Sequence, residues 1–221
     1  MKFSVSSSEL LKQLQVAAGA IDSNPVLPIL ENFLFSIDNK KLTISATDLE
    51  TSISTTIEVL ADDSFTVAVP AKILLETLKA LPQQPVTFTI DEEKFGIEIT
   101  SSYGKYRLAG EKGEDFPQIP EAESVDTVKL SSQILLESIN KTIFATSNDE
   151  LRPAMTGVYF QVDFNKLICV ATDAHKLVKI STHQLTGEVA TSFSVPKKSL
   201  NLIKNALPAN DTVSISFNKA N

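Results

Sequence analysis

The residues best suited to chemistry lie in one short stretch of the chain, VATDAHKLVKIS at residues 170–181. This stretch places Asp173 two residues before His175, which is one of only two histidines. An aspartate that orients a histidine is part of the serine hydrolase triad, so the pair raises the hypothesis of a hydrolase. The sequence offers no matching nucleophile, because it has no Gly-x-Ser-x-Gly motif and its single cysteine, Cys169, lies within a strand pattern. We therefore predict no catalytic residues.

Metal binding is poorly supported by the same residues. His175 and His183 lie eight residues apart on what reads as one strand, whereas a zinc site needs three or four converging ligands. Cys169 has no second cysteine to pair with and lies in an apolar run, so we expect a buried, unreactive thiol. The sequence thus predicts no metal site and no cofactor.

The stretch around Asp173 has a counterpart earlier in the chain. The segment ISATDLETSIS at residues 44–54 aligns with CVATDAHKLVK at residues 169–179, at an offset of 125. At that offset 8 of the 21 positions from 28 to 48 are identical, and at an offset of 126 so are 7 of the 16 positions from 67 to 82. Matching blocks in the same order at nearly one spacing indicate a duplication. This period is much longer than that of solenoid repeats, so each copy should be a domain with its own core.

The duplication separates Asp173 from His175. The counterpart of Asp173 is Asp48, which is followed by Leu49 and Glu50 and by no histidine. Both aspartates lie where one alternating strand gives way to the next, and a carboxylate there commonly accepts hydrogen bonds from backbone amides. We predict a structural role in a turn for both aspartates, and a site peculiar to the second copy at residues 175–177.

Each copy shows a mixed pattern of helices and strands. Residues 49–59 alternate with a period of two, which is typical of a strand, and a capping box from Ser6 to Glu9 precedes the first helical pattern. The predicted helices are at residues 7–19, 71–80, 132–142 and 197–206. The order strand, helix, four strands, helix, strands predicts an α+β fold in which each domain packs two helices on antiparallel sheets.

The repeat also predicts the domain bounds. An acidic, proline-containing segment, EKGEDFPQIPEAES, separates a first domain at residues 1–120 from a second at residues 121–221. Two strand-like runs follow VTFTI in the first copy, but only four residues follow TVSISF in the second. We therefore expect the second domain to be truncated before its last strands, and the chain to be a piece of a longer protein.

The charges are unevenly distributed. The net charge is −7, which argues against a simple nucleic-acid-binding protein. The four predicted helices nevertheless hold seven lysines and three glutamates, a net charge of +4. A basic helical surface on an acidic protein suits contact with a phosphate backbone without base reading. The alternative is that these lysines are ordinary solvated helix residues.

The chain shows no targeting signal. The N-terminus MKFSVSSSEL lacks the apolar run of a signal peptide, and no segment is apolar for long enough to span a membrane. Together with the single cysteine, these features predict a cytoplasmic protein without membrane contact.

The repeated blocks, taken together, resemble the bacterial sliding clamps, the family of the DNA polymerase III beta subunit. The resemblance runs over essentially the whole chain, and the short blocks that carry it are MKFSV at the start, LPIL at 27–30, TDLE at 47–50, VPAK at 69–72, DFP at 115–117, VATDAHKL at 170–177 and VPKK at 195–198. The resemblance implies a non-catalytic processivity factor whose subunit has three clamp domains, the third being absent from this chain. Two subunits would close head to tail into a homodimer ring around duplex DNA, with the helices lining the hole.

The resemblance also implies partners and site residues. The expected partners are the DNA polymerase III catalytic subunit, the clamp-loader complex and repair proteins, which dock short peptides between the second and third domains. The residues implied for the rim of this pocket are Met155, Thr172, His175, Lys176 and Leu177. Since most of the remaining pocket would come from the missing segment, we expect this chain to bind partner peptides weakly or not at all. Without the third domain the head-to-tail interface is incomplete, so we expect a monomer or a contact that forms no ring.

For DNA contact the resemblance supports Lys72 and Arg152, and the helix charges add Lys197 and Lys198. The sequence departs from the family at Asn24, Asp149, Pro153, Ala154 and, in the pocket, Ala174, where a glycine is common. The alternative for Arg152 is a surface ion pair with Asp149 or Glu150. A DNA-independent two-domain interaction module also remains open, and it predicts lysines scattered over all faces instead of gathered on one.

Overall fold

The chain folds into two compact units, Met1–Ile119 and Pro120–Asn221, in a computed structural model. The structure describes residues 1–61, 63–119, 126–149, 151–187 and 189–218. Within these residues no helix is both long and apolar enough to cross a membrane.

The described part of the first unit contains two α-helices and ten β-strands. The helices are α1 (Ser7–Ala17) and α2 (Ala71–Ala80). The strands are β1 (Lys2–Ser6), β2 (Asn32–Asp38), β3 (Lys41–Thr47), β4 (Ser52–Glu58), β5 (Leu60–Ala61), β6 (Phe65–Pro70), β7 (Pro85–Ile90), β8 (Gly96–Ser101), β9 (Gly104–Ala109) and β10 (Glu111–Lys112). Two five-stranded antiparallel sheets result, in the orders β5-β1-β7-β8-β9 and β10-β6-β2-β3-β4.

The described part of the second unit repeats this plan with fewer strands. Its helices are α3 (Ser132–Asn140) and α4 (Lys197–Ala206). Its strands are β11 (Asp126–Ser131), β12 (Gly157–Asp163), β13 (Lys166–Thr172), β14 (Leu177–Thr182), β15 (Leu185–Thr186), β16 (Ala190–Pro196) and β17 (Thr212–Phe217). They form a three-stranded sheet, β15-β11-β17, and a four-stranded sheet, β14-β13-β12-β16. The predicted α+β fold with two helices on antiparallel sheets in each domain is confirmed.

Proline and the apolar pattern set the helix bounds. α2 and α4 each begin directly after a proline, Pro70 or Pro196. Proline has no amide hydrogen, so it cannot donate the hydrogen bond that would extend the helix towards its N-terminus. They end shortly before Pro82 and Pro208, where the next proline disfavours further helix. The four helices agree with the predicted ranges to within two residues, and α1 continues as a short 3-10 turn at Ala18–Ala20.

Aromatic rings fill the space between the sheets and helices. In the first unit the rings of Phe3 and Phe88 stack with centroids 4.7 Å apart, and Phe35 and Phe65 pack around them. In the second unit Phe193 packs between Phe160 and Phe217. Each unit therefore has its own hydrophobic core, which also contains the inward faces of its two helices.

Two local predictions were wrong. Leu49 does not belong to the alternating strand, because β4 begins at Ser52 and Leu49 lies in a turn with a φ of 79°.

The capping box at Ser6 does not form either: the Ser6 hydroxyl contacts that of Ser8 at 3.1 Å and makes no cap hydrogen bond. A tertiary bond holds the helix start instead, since the first amide of α1, that of Ser7, donates to the Gln84 carbonyl at 2.8 Å and links it to the segment before β7.

Candidate functional site

A tight turn joins β13 to β14 and contains Asp173. One carboxylate oxygen of Asp173, Oδ1, accepts from the amides of His175 and Lys176 at 3.0 and 2.9 Å. The Thr172 hydroxyl donates to the Lys176 carbonyl at 2.8 Å and accepts from the Ala174 amide at 3.2 Å. Two neighbouring side chains thus bind three amides and one carbonyl of the turn.

The same bonds recur in the first unit. Asp48 Oδ1 accepts from the amides of Glu50 and Thr51 at 3.0 and 2.7 Å. The Thr47 hydroxyl donates to the Thr51 carbonyl at 3.2 Å and accepts from the Leu49 amide at 3.0 Å. The prediction of a structural turn role for Asp48 and Asp173 is confirmed.

The bonds around Asp173 make its carboxylate a poor base. The Lys176 ammonium forms an ion pair with Oδ2, and together with the amides of Lys176 and His175 it lowers the pKa of Asp173 well below its usual range. A carboxylate held so strongly in its charged form has little tendency to accept a proton near neutral pH. This geometry argues against the hydrolase hypothesis for Asp173 and His175.

The turn displays the side chains that the sequence singled out. Ala174 takes a left-handed backbone conformation, with a φ of 74°, and His175 and Lys176 are exposed. Leu177 opens β14 with 67% of its surface exposed, although it is a large apolar residue. Thr172, His175, Lys176 and Leu177 therefore lie together on one hydrogen-bonded turn.

Met155 reaches the same edge of the sheet from a different segment. It ends the short 3-10 turn Pro153–Met155, which leads into β12, and it is half-buried. Tyr159 of β12 pairs with Val170 of the antiparallel β13, so the start of β12 and the end of β13 lie at the same end of the two strands. That Met155 forms one site with the turn at Asp173 rests on the resemblance and stays a prediction.

Two lysines at the start of α4 line a shallow cleft in the second unit. The Lys197 ammonium donates to Asn148 Oδ1 at 3.0 Å, and the Lys197 amide donates to the Thr156 carbonyl at 3.2 Å. The cleft has a volume of about 440 Å³ and is lined by Ser147, Asn148, Pro153, Thr156, Pro196, Lys197 and Lys198. Sequence reasoning missed Asn148 and Thr156, because only the folded loop brings them to α4.

Arg152 lies next to this cleft in an ion pair. Its Nε is 2.9 Å from Asp149 Oδ2, and both side chains are at least one-third exposed. The alternative that the sequence left open, a surface ion pair with Asp149, is therefore present, whereas Glu150 lies outside the described residues. Exposed pairs of this kind contribute only about 0–1 kcal/mol, so Arg152 could exchange Asp149 for another anion at little cost.

Lys72 occupies the corresponding place in the first unit. It is the second residue of α2, as Lys198 is the second residue of α4, and both are exposed. Lys141, at the end of α3, forms an ion pair with Glu137 one turn earlier, so it adds little free positive charge. Within each unit the two helices contact one another.

Cys169 lies in the core of the second unit. The prediction of a buried cysteine is confirmed. Burial raises the pKa of its thiol to about 12, so the thiolate is scarce at neutral pH, and the expectation of an unreactive thiol stands. In the part of the chain that the structure describes, no three His, Cys, Asp or Glu side chains group closely enough to hold a metal ion.

Both units match family models of known proteins. Residues 1–120 match the model described as DNA polymerase III beta subunit, N-terminal domain, and residues 129–221 match the model of its central domain. A beta sliding clamp from Vibrio cholerae is 32% identical over 207 residues, which is 92% of this chain and 56% of that protein. One from Synechococcus elongatus is 30% identical over 197 residues, 88% of this chain and 52% of its own length. This chain thus spans a little over half the length of these relatives.

Solved structures agree with these matches. The sliding clamp from Bacillus subtilis superimposes with a TM-score of 0.94 at 25% identity, over 99% of this chain and 60% of that one. A sliding clamp from Pseudomonas aeruginosa bound to griselimycin superimposes with a TM-score of 0.91 at 26% identity, with the same coverage of both chains.

Proposed function

The chain belongs to the DNA polymerase III beta subunit family, and from this premise we propose that it is part of a sliding clamp, a non-catalytic processivity factor of the bacterial replicative polymerase. The observation that carries the proposal is the match of both units, in order, to the first two domain models of one family. The proposed subunit contains residues 1–120 and 121–221 as clamp domains, with the end of the second domain and a third domain supplied by sequence beyond this chain.

In this proposal the full-length subunit forms a head-to-tail homodimer ring that encloses duplex DNA. Topological enclosure explains how a subunit that contains this acidic chain, with its net charge of −7, can stay on DNA, because the ring needs no strong contact with it. The proposal includes the cytoplasmic location that the sequence predicted.

Four basic residues are proposed to contact the DNA backbone: Lys72, Arg152, Lys197 and Lys198. The equivalent positions of Lys72 and Lys198 on α2 and α4 support this assignment, as does the cleft beside Lys197. Contacts of this kind position the protein on the phosphates and carry no base specificity.

The exposed turn is proposed to dock short peptides of the polymerase catalytic subunit, the clamp loader and repair proteins. Thr172, His175, Lys176 and Leu177 would form one wall of the pocket, together with Met155. Leu177 supports this role, because a leucine exposed where the turn enters β14 offers apolar surface that a peptide can cover.

The test of ring function uses the full-length subunit loaded onto a nicked circular plasmid by its clamp loader. We expect the protein to elute with the circular DNA in gel filtration at high salt, and to be released when the plasmid is cut once. Equal retention on circular and linear DNA would contradict a topological link.

A matched pair of variants separates direct contact from enclosure. Lys72→Ala with Lys198→Ala should slow loading at physiological salt, while retention on circular DNA at high salt stays as in the wild type. Lys141→Ala is the control, since Lys141 is already paired with Glu137 and should change neither quantity. Equal effects of both changes would contradict the assignment of Lys72 and Lys198.

A further inference from the structure

The outward face of the four-stranded sheet carries an apolar stripe. Alternate residues of β12 and β13 enter the core, including Phe160 and Cys169, so their neighbours in sequence point to the opposite face. Tyr159 lies directly opposite Val170 on that face, and Leu177 is diagonal to Val170 across β13 and β14. Tyr159 is 41% exposed and Leu177 is 67% exposed, while Val170 is half-buried between them.

The first unit shows what this face looks like without the stripe. At an offset of 125, Val170 corresponds to Ser45, Lys179 to Ser54 and Leu177 to Ser52. Ser45 and Ser54 are cross-strand partners whose hydroxyls lie 2.8 Å apart, and the Ser52 hydroxyl donates to that of Thr47 at 2.8 Å. The counterpart of Tyr159 is Leu34, a half-buried leucine directly opposite Ser45, so the first unit keeps one apolar residue on this face. The same strands in the same register accept serine at the other three positions, so the fold itself does not require Val170 and Leu177.

The charge of the two faces differs as well. The outward charged residues of the strands β2, β3 and β4 are Asp38, Lys41 and Glu58, a net charge of −1. Those of the strands β12, β13 and β14 are Asp163, Lys166 and Lys179, a net charge of +1. Lys179 lies directly opposite Val170, so a cation borders the apolar stripe.

We propose that this stripe of Tyr159, Val170 and Leu177, bordered by Lys179, is a second contact site for the same partner peptide that docks at the turn. The segment it receives carries an aromatic or aliphatic residue next to an acidic one. Leu177 belongs to both the turn and the stripe, so a peptide in the pocket continues onto the sheet without a break. The inference rests on the proposed function of the turn, whose pocket it extends.

The test compares peptides on the full-length subunit by isothermal titration calorimetry. The probes are the docking peptide of the polymerase catalytic subunit, and the same peptide extended at either end by Asp-Phe-Asp-Phe-Asp or by Asn-Ser-Asn-Ser-Asn. The extension should bury one aromatic and one aliphatic side chain of the stripe. At one of the two ends, the acidic-aromatic extension should therefore make the peptide bind about five- to tenfold tighter than the short peptide. The gain should shrink as salt is added, because Lys179 is exposed.

The decisive variant is Val170→Ser with Lys179→Ser, which installs the hydroxyl pair that the first unit already holds in this register. It should abolish the gain and leave the affinity for the short peptide unchanged. Tyr159→Ala tests the same stripe independently, and Ser45→Val with Ser54→Lys in the first unit is the matched control that should change nothing. A missing gain in the wild type, or a gain that survives both variants, overturns the second site. Failure of the short peptide to bind would instead refute the proposed role of the turn.

Discussion

One aspartate carboxylate organises each of the two equivalent turns. Asp173 and Asp48 each accept two backbone amide hydrogen bonds, and Asp173 also pairs with Lys176. The duplication made this role predictable, since a residue held by both copies is more economically explained by a shared turn than by catalysis. The ion pair between Arg152 and Asp149 could only be left as an alternative, because spacing does not say which anion a long side chain will choose.

The lowered pKa of Asp173 predicts an acid-dependent loss of stability. A carboxylate with a folded-state pKa below the ordinary value of 3.8 stabilises the fold above that value, and the contribution is lost as pH falls below it. Wild type and Asp173→Asn should therefore differ most in their urea midpoints above about pH 4, and the difference should shrink at lower pH. A difference that is constant from pH 7 to pH 2.5 would contradict the ion-pair origin.

Ala174→Gly is expected to stabilise the second unit. An L-residue at a φ of 74° is strained, whereas glycine adopts this conformation freely, so we expect a gain of about 0.5–1 kcal/mol in the free energy of unfolding. The control is Ala190→Gly at the exposed start of β16, where a loss of about 0.5–1 kcal/mol is expected from chain entropy. Urea denaturation measures both, and a loss of stability in Ala174→Gly would contradict the strain.

At the scale of the elements, Thr55 in β4 carries a buried hydroxyl that lowers stability, and its counterpart in β14 has no such group. Its hydroxyl is buried and has no hydrogen-bond partner among the described residues, while the corresponding residue of β14 is Ile180. Thr55→Val should therefore raise the free energy of unfolding by about 1 kcal/mol, because it removes an unsatisfied polar group at constant volume. Thr56→Val, on the outward face, is the control and should change stability little. An equal gain from both would point to strand propensity as the cause.

Sequence patterns predicted the elements well where local rules apply. The prolines before and after α2 and α4 set their bounds, so these two helices were predicted to the residue. Leu49 was placed in a strand because alternation continues through it, but the hydrogen bonds of Thr47 and Asp48 turn the chain there. The stripe on β12–β14 could not be predicted, since its members become neighbours only through the strand register.

At the scale of the whole molecule, each unit has a core of its own. Phe88→Ala removes a fully buried ring from the first core, which should cost about 3–5 kcal/mol. We expect the amide NMR signals of residues 126–218 to keep their folded positions at urea concentrations that unfold the first unit of this variant. Simultaneous loss of both sets of signals would show that the two cores unfold as one.

Ring closure could not be predicted from periodicity, because hydrophobic patterns report which face of an element is buried and not how one domain meets the next. The resemblance, and afterwards the family match, carried that expectation. The acidic total with basic helices was a consistent but weaker signal, since Lys141 shows that a helix lysine can be neutralised by its own neighbour.

The burial of Cys169 gives the chain a reporter of its own unfolding. Its thiol sits in the core of the second unit and is the one cysteine of the sequence, so a maleimide dye should label it only when that unit opens. The labelling rate in the native state then measures the opening free energy of a single domain, without an engineered probe. Because the native thiol is buried, a cysteine added on the surface can be labelled with a fluorophore at a chosen place while Cys169 remains unlabelled.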